Sequence, residues 1–232
     1  METYIVLPAY NEGKVIKKLI ESIKKEGYRN IIVVDDGSTD NTFSEAESTG
    51  VVAISHLINR GKGAATQTGI DAAKYLDADI IITMDSDGQH NPKDIVKLIK
   101  PLEKGECDVT IGSRFLEKSK NMPMSRVIMN RVGNYITAFF FHKLVTDSQS
   151  GFRGYSKKAA NLVYTYEDRY EFESEMLGEI SKHKLSVKEV PIEVIYTEYS
   201  LTKYNKQSSF SPQGLFNGIK MLIRFIEKAL FK

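Results

Sequence analysis

The chain has 232 residues, 41% of them hydrophobic and 27% charged, a composition of ordinary globular proteins that excludes a disordered, collagenous or wholly membrane-embedded chain. At roughly 100–200 residues per domain, it makes one large domain or one domain with an appendage. Lys and Arg number 32 against 30 Asp and Glu, so the formal charge of +2 provides no global field for gripping nucleic acid. A single cysteine, Cys107, excludes an internal disulfide and a cysteine-based zinc site, and a cytoplasmic protein is expected.

The first residues lack a basic n-region and reach Pro8 after a short apolar run, so they predict a strand over 4–7 rather than a signal peptide. Further short β-branched runs predict strands over 30–34, 51–54, 79–84 and 108–111, and another within 185–196. Helical patterns fall between and after them, over 12–26, 61–75, 92–102, 125–141 and 173–183. Asn91 and Pro92 form an N-cap with proline at the first helical position. Strands that are apolar without alternation are covered on both faces, which predicts an α/β fold with an open, mostly parallel sheet flanked by helices. The apolar stretch 135–141 ends at His142 and Lys143, short of the roughly 18 residues a membrane-spanning helix needs. From 198 to Pro212 the chain is polar and reads as a loop.

The acids fall in telling places. Asp35 and Asp36 follow Val33-Val34, while Asp85-Ser86-Asp87 follows Ile80-Ile81-Ile82-Thr83-Met84. Both pairs therefore stand at the C-terminal end of a buried strand, the edge at which open α/β sheets bind ligands. Four carboxylates on one rim repel one another unless a cation or hydrogen-bond donors balance them. The Asp85-Ser86-Asp87 spacing suits a hard divalent ion with oxygen ligands and positions left for phosphate, and Gln89 and His90 stand close enough to contribute. Asn59-Arg60-Gly61-Lys62-Gly63-Ala64-Ala65 is a glycine-rich entry to a helix, a geometry that presents N–H groups to an anion, without the spacing of a Walker loop. A tight turn with a solvated lysine is the competing reading of that segment.

Five motifs in order carry a resemblance: Pro8-Ala9-Tyr10-Asn11-Glu12, Val34-Asp35-Asp36-Gly37-Ser38-Thr39-Asp40, the 59–65 turn, Asp85-Ser86-Asp87-Gly88-Gln89 and Asp147-Ser148-Gln149-Ser150-Gly151-Phe152-Arg153. From residue 3 to about residue 206 the chain resembles family 2 glycosyltransferases with the GT-A (Rossmann-like) fold, most closely the dolichol-phosphate mannose synthase and polyprenyl-phosphate glycosyltransferase branch. The resemblance implies a catalytic domain over 1–206, and helical periodicity beyond it predicts an amphipathic C-terminal helical segment over 207–232. It implies that Pro8, Tyr10, Glu12 and Asp36 hold the nucleoside with Val34 alongside. It further implies that Asp85, Ser86 and Asp87 face the diphosphate, with Asp85, Asp87 and Gln89 around Mg2+ or Mn2+. Lys62, Arg114 and Lys203 complete the expected contacts to the nucleotide-sugar. Arg126, Asn130 and Arg153 are the expected contacts to an acceptor phosphate, Asn130 standing where the branch has serine; for Arg153 a structural salt bridge is the competing reading. Thr197 stands where the mannose synthases carry an arginine, so UDP- and GDP-sugars both remain open.

The implied reaction is inverting transfer of a sugar to polyprenyl or dolichyl phosphate. A lipid phosphate has lost its proton near neutral pH and asks for arginines, whereas a sugar hydroxyl asks for a base. Arg114 and Arg126 suit the first case; Glu175 suits the second, in which the chain acts on polysaccharide or glycoprotein glycans. A nucleotidyltransferase and a non-catalytic nucleotide-binding module are the readings from other classes. Leu215, Ile219, Leu222, Ile226 and Leu230 form an apolar helical stripe, while Lys220, Arg224, Lys228 and Lys232 form a basic one. Such a helix suits an anionic membrane interface or a small membrane partner protein, so the expectation is a peripheral protein at the cytosolic face of a membrane.

Overall fold

A computed structural model of the protein describes residues 1–116, 145–166 and 172–195. The chain divides into two units, Met1–Ile195 and Tyr196–Lys232. The second unit lies outside the described residues, and with it the expected boundary at 206, Lys203 and the 215–232 helix. The expected helix over 125–141, with Arg126 and Asn130, lies outside them as well.

The first unit is built on β1 (Thr3–Ala9), α1 (Ile16–Lys25), β2 (Ile31–Asp35), α2 (Thr42–Glu47), β3 (Val52–Ser55), α3 (Lys62–Tyr75) and β4 (Ile80–Thr83). A 3-10 turn over Pro92–Asp94 leads into α4 (Ile95–Glu103), followed by β5 (Val109–Ser113), β6 (Arg153–Ser156), α5 (Lys157–Leu162), α6 (Phe172–Lys182) and β7 (Val187–Pro191). The seven strands form one sheet in the order β3-β2-β1-β4-β6-β5-β7. β6 runs antiparallel to β4 and β5, and the remaining pairings are parallel. The expected α/β architecture is therefore present, with one reversed strand inside the sheet.

Alternation along the pleat explains the continuous apolar runs. On β1, Ile5 and Leu7 enter a core completed by Ile16, Ile20 and Ile23 of α1 and by Ile95, Leu98 and Leu102 of α4. Val6, between them, faces the opposite core with Ile32, Val34, Ile81, Ala65 and Ile70 of α3, and Met176 and Ile180 of α6. The strands β1, β2, β4 and β5 are thus buried from both sides, as a sheet covered by crossover helices requires. β2 lies on one side of β1 and β4 on the other, so the strand order reverses at β1. A crevice opens at such a reversal, beside the C-terminal ends of the strands.

Burial this complete makes the core sensitive to truncation. Ile82, fully buried in the centre of β4, should lose about 2–5 kcal/mol on replacement by alanine, while the fully exposed Leu57 should lose less than about 0.5 kcal/mol. Urea denaturation of the two variants checks the contrast.

Candidate active site

The C-terminal ends of β1, β2, β4 and β5 deliver the expected polar residues to one rim, and two loops are stitched together there. Asn11, whose backbone adopts φ 55, donates its N–H to Ser38 Oγ at 2.9 Å and accepts the Thr39 N–H at 2.9 Å. Asp40 accepts the Gly13 N–H at 3.0 Å and bonds both the N–H and the hydroxyl of Thr42. Burial pushes the Asp40 carboxyl up, but these donors win and hold it below the ordinary carboxylate value. Ser86, at the end of β4, donates its hydroxyl to the Pro8 carbonyl at 2.7 Å and ties β4 to β1. Tyr10 leaves its ring exposed at the crevice, whereas Glu12 is buried and donates its backbone N–H to Thr42 Oγ1 at 2.8 Å.

Asp36 is 2% exposed and closes the loop that follows β3. Its Oδ1 meets His56 Nδ1 at 2.8 Å and accepts the Arg60 N–H at 3.0 Å, while Oδ2 accepts the Gly61 N–H at 2.7 Å. Gly37 lets that loop approach: at φ +68, a Cβ would lie 2.6 Å from the Ile58 carbonyl carbon and 2.7 Å from the Asn59 nitrogen. The Val34 side chain is fully buried beneath α3 and packs in the core, so only its backbone can stand alongside a nucleoside.

The second acid pair meets a lysine. Lys62 begins α3, and its ammonium lies 2.7 Å from Asp85 Oδ1 and 2.9 Å from Glu173 Oε1 on α6. Asp85 Oδ2 is 3.5 Å from His90 Nε2. Desolvation opposes both charges of the Lys62–Asp85 pair, but mutual attraction prevails, raising the ammonium and lowering the carboxyl, so both are ionised at neutral pH. Gly151 covers the pair, since a Cβ there would overlap Asp85 Oδ1 and stand 2.7 Å from Lys62 Nζ. Asp87 Oδ1 accepts the Gln89 N–H at 3.0 Å.

The donor set fits a hard divalent cation. Asp85 Oδ1 is buried, and the Lys62 ammonium at 2.7 Å is the cation beside it. Among the described residues no three His, Cys, Asp or Glu side chains converge as a metal cluster. Asp85, Asp87 and Gln89 are oxygen donors of the class that a hard divalent ion takes, and magnesium uses few of them while retaining positions for water and phosphate.

The arginines have separate tasks. Arg114, just past β5, is gripped by Asp147 through Nε at 2.6 Å and Nη2 at 2.7 Å, a fork that fixes the plane of the guanidinium. Arg153 is 1% exposed and donates to the carbonyls of Ser148 at 2.7 Å, Ser150 at 2.8 Å and Glu173 at 3.2 Å. It braces the 148–150 turn against α6, a structural role in place of the expected salt bridge. On α6, Glu175 accepts the Tyr166 N–H at 3.0 Å, and it is Glu173 that reaches Lys62. Sequence reasoning missed Glu173, Asp147 and His56. The alternation Glu173-Ser174-Glu175 offered two acids, and helical spacing alone does not say which one faces the sheet.

Residues 4–163 match the profile of Glycosyl transferase family 2. The chain belongs to that family. A UDP-N-acetylglucosamine–dolichyl-phosphate N-acetylglucosaminyltransferase from Methanococcus voltae is 42% identical over 221 residues, covering 86% of this chain and 88% of the relative. Polyprenol monophosphomannose synthase of Mycolicibacterium smegmatis is 26% identical and covers 87% of this chain and 80% of its own. The crystal structure of glucosyl-3-phosphoglycerate synthase from Mycobacterium tuberculosis, with Mn2+, UDP and glucosyl-3-phosphoglycerate, superposes with a TM-score of 0.70 at 22% identity, covering 97% of this chain and 79% of that one. The family 2 chain thus has the GT-A fold.

Because Asp36 anchors the loop in this family 2 protein, Asp36→Ala should expose the Arg60 and Gly61 amides. Hydrogen exchange should accelerate at both, with a stability loss of about 1–3 kcal/mol for the orphaned donors.

Proposed function

We propose that the protein transfers a sugar, N-acetylglucosamine first among the candidates, from a UDP-sugar to polyprenyl or dolichyl phosphate at the cytosolic face of a membrane. The observation that carries the reading is the pairing of two charge centres on one rim. The Asp85 and Asp87 carboxylates stand at the end of β4, and the Asp147-held guanidinium of Arg114 stands past the end of β5. The first suits a cation and a diphosphate, the second an anionic acceptor. The Methanococcus voltae relative supports both the uridine donor and the lipid acceptor.

In this reading Tyr10 covers the nucleoside base, and Pro8 and Glu12 line its pocket. Asp36 acts by holding the 56–61 loop against the base. Asp85, Asp87 and Gln89 hold Mg2+ or Mn2+, which when bound supplies positive charge against the departing diphosphate. Lys62 and the N–H groups at the start of α3 add a positive end facing the same phosphates. Arg114, with Arg126 and Asn130, orients the acceptor phosphate, while Lys203 contacts the donor. The acceptor oxygen is already ionised, because the second pKa of a phosphomonoester is about 6, so the site needs orientation and no base. Glu175 accepts the Tyr166 N–H and is not called on as a base in this reading.

Among the described residues no helix is long and apolar enough to cross a membrane. The basic amphipathic stripe of 215–232 supplies the peripheral contact that a lipid acceptor requires.

With UDP-N-acetylglucosamine, Mn2+ and a polyprenyl phosphate, the full chain should form a lipid-linked sugar and release UDP, and free glycans should not serve as acceptors. Transfer to glycans alone would overturn the reading. EDTA should abolish turnover, and Asp87→Asn should lower kcat by about 100-fold or more, the scale of losing a group that stabilises developing charge.

A further inference from the structure

Lys62 is an unusual choice for its position. It is the first residue of a 14-residue helix, where the helix dipole disfavours a cation and favours an anion. Two carboxylates hold it there, Asp85 at 2.7 Å and Glu173 at 2.9 Å, and Glu173 is almost fully buried. Glu173 has no other ion-pair partner among those described, so it serves to aim the ammonium at Asp85. Gly151 leaves the space in which the two charges meet. Asp85 Oδ1, in turn, is buried with the Lys62 ammonium 2.7 Å away. A carboxylate whose neighbouring cation sits on a flexible four-carbon stem can exchange that cation for another without moving the backbone.

We propose that Lys62 is a built-in counter-cation that occupies the cation position beside Asp85 in the donor-free protein and gives it up to the divalent ion as the nucleoside diphosphate arrives. The inference rests on the metal-dependent reading above and adds a sequence of events to it. Before the donor binds, the ammonium neutralises Asp85 and keeps the ion from binding tightly to a site with no substrate. The incoming diphosphate offers Lys62 a second anion, at the helix end where anions are favoured, and so releases Asp85. Glu173 keeps the ammonium within reach of both positions. Donor and divalent ion therefore bind cooperatively, each strengthening the other by the same factor.

The test is Mn2+ binding to the full chain, followed by the electron paramagnetic resonance signal of the free ion, with and without UDP. Without UDP, Lys62→Met should bind Mn2+ about tenfold more tightly than the wild type, because the competing charge is gone. Lys62→Arg, which keeps the charge, should not show that gain. Added UDP should tighten Mn2+ binding in the wild type and do so by a smaller factor in Lys62→Met. Thermal unfolding verifies that each variant is folded, and Lys62→Gln replaces the methionine variant if that one fails. Mn2+ binding by the wild type with equal or weaker binding by the folded neutral variants would overturn the exchange and leave the transferase reading intact. Absence of Mn2+ binding in all chains, with or without UDP, would overturn both.

Discussion

Repulsion among carboxylates gathered at one edge of a sheet is the constraint around which this molecule is arranged. Asp35, Asp36, Asp85, Asp87 and Asp147 stand at or beside the C-terminal ends of β2, β4 and β5. No two are balanced in the same way. Asp36 is held by a histidine and two backbone amides, Asp147 by the fork of Arg114, and Asp85 by an ammonium delivered from the start of α3. The first two arrangements are rich in directed hydrogen bonds and fix the loops they touch. The third depends on an ammonium at the end of a flexible stem, and that difference separates scaffolding acids from the one suited to change partners.

The sheet explains why these acids converge. Parallel strands on both sides of the reversal at β1 all point their C-terminal ends to the same crevice. Thr83 on β4 extends the arrangement by donating its hydroxyl to the Gly151 carbonyl at 3.0 Å. That bond places the glycine turn over Asp85, and Arg153 secures the same turn from inside by taking three carbonyls. A buried guanidinium satisfied in this way is costly to remove, because truncation leaves the carbonyls without donors. The Ser150-Gly151-Phe152-Arg153 segment is thus a roof over the Lys62–Asp85 pair, a task that accounts for both its glycine and its arginine.

Much of the architecture was legible from apolar runs, because a strand buried on both faces writes itself as continuous Ile and Val, as in Ile80-Ile81-Ile82. β6 was not legible: Arg153-Gly154-Tyr155-Ser156 has no such run, and its place between β4 and β5 comes from long-range pairing. α2 and α5, six residues each, are too short for a helical period to declare itself. At the site, the acids after β2 and β4 were visible because motif and strand end coincide. The acids that hold the site's cations were not, since Lys62 with Glu173 and Arg114 with Asp147 are separated by 111 and 33 residues in the chain. Val34 and Arg153 belonged to motifs that point to ligands, yet both side chains are buried within the scaffold.

The central claim is that the rim is completed by a divalent cation together with a nucleoside diphosphate. Isothermal titration of UDP into the full chain, in Mn2+ and again in EDTA, tests it most directly. The account predicts binding that weakens by about tenfold or more when the metal is removed, as expected if the ion bridges two sets of anions that otherwise repel. Equal affinity for UDP in the two buffers would contradict it.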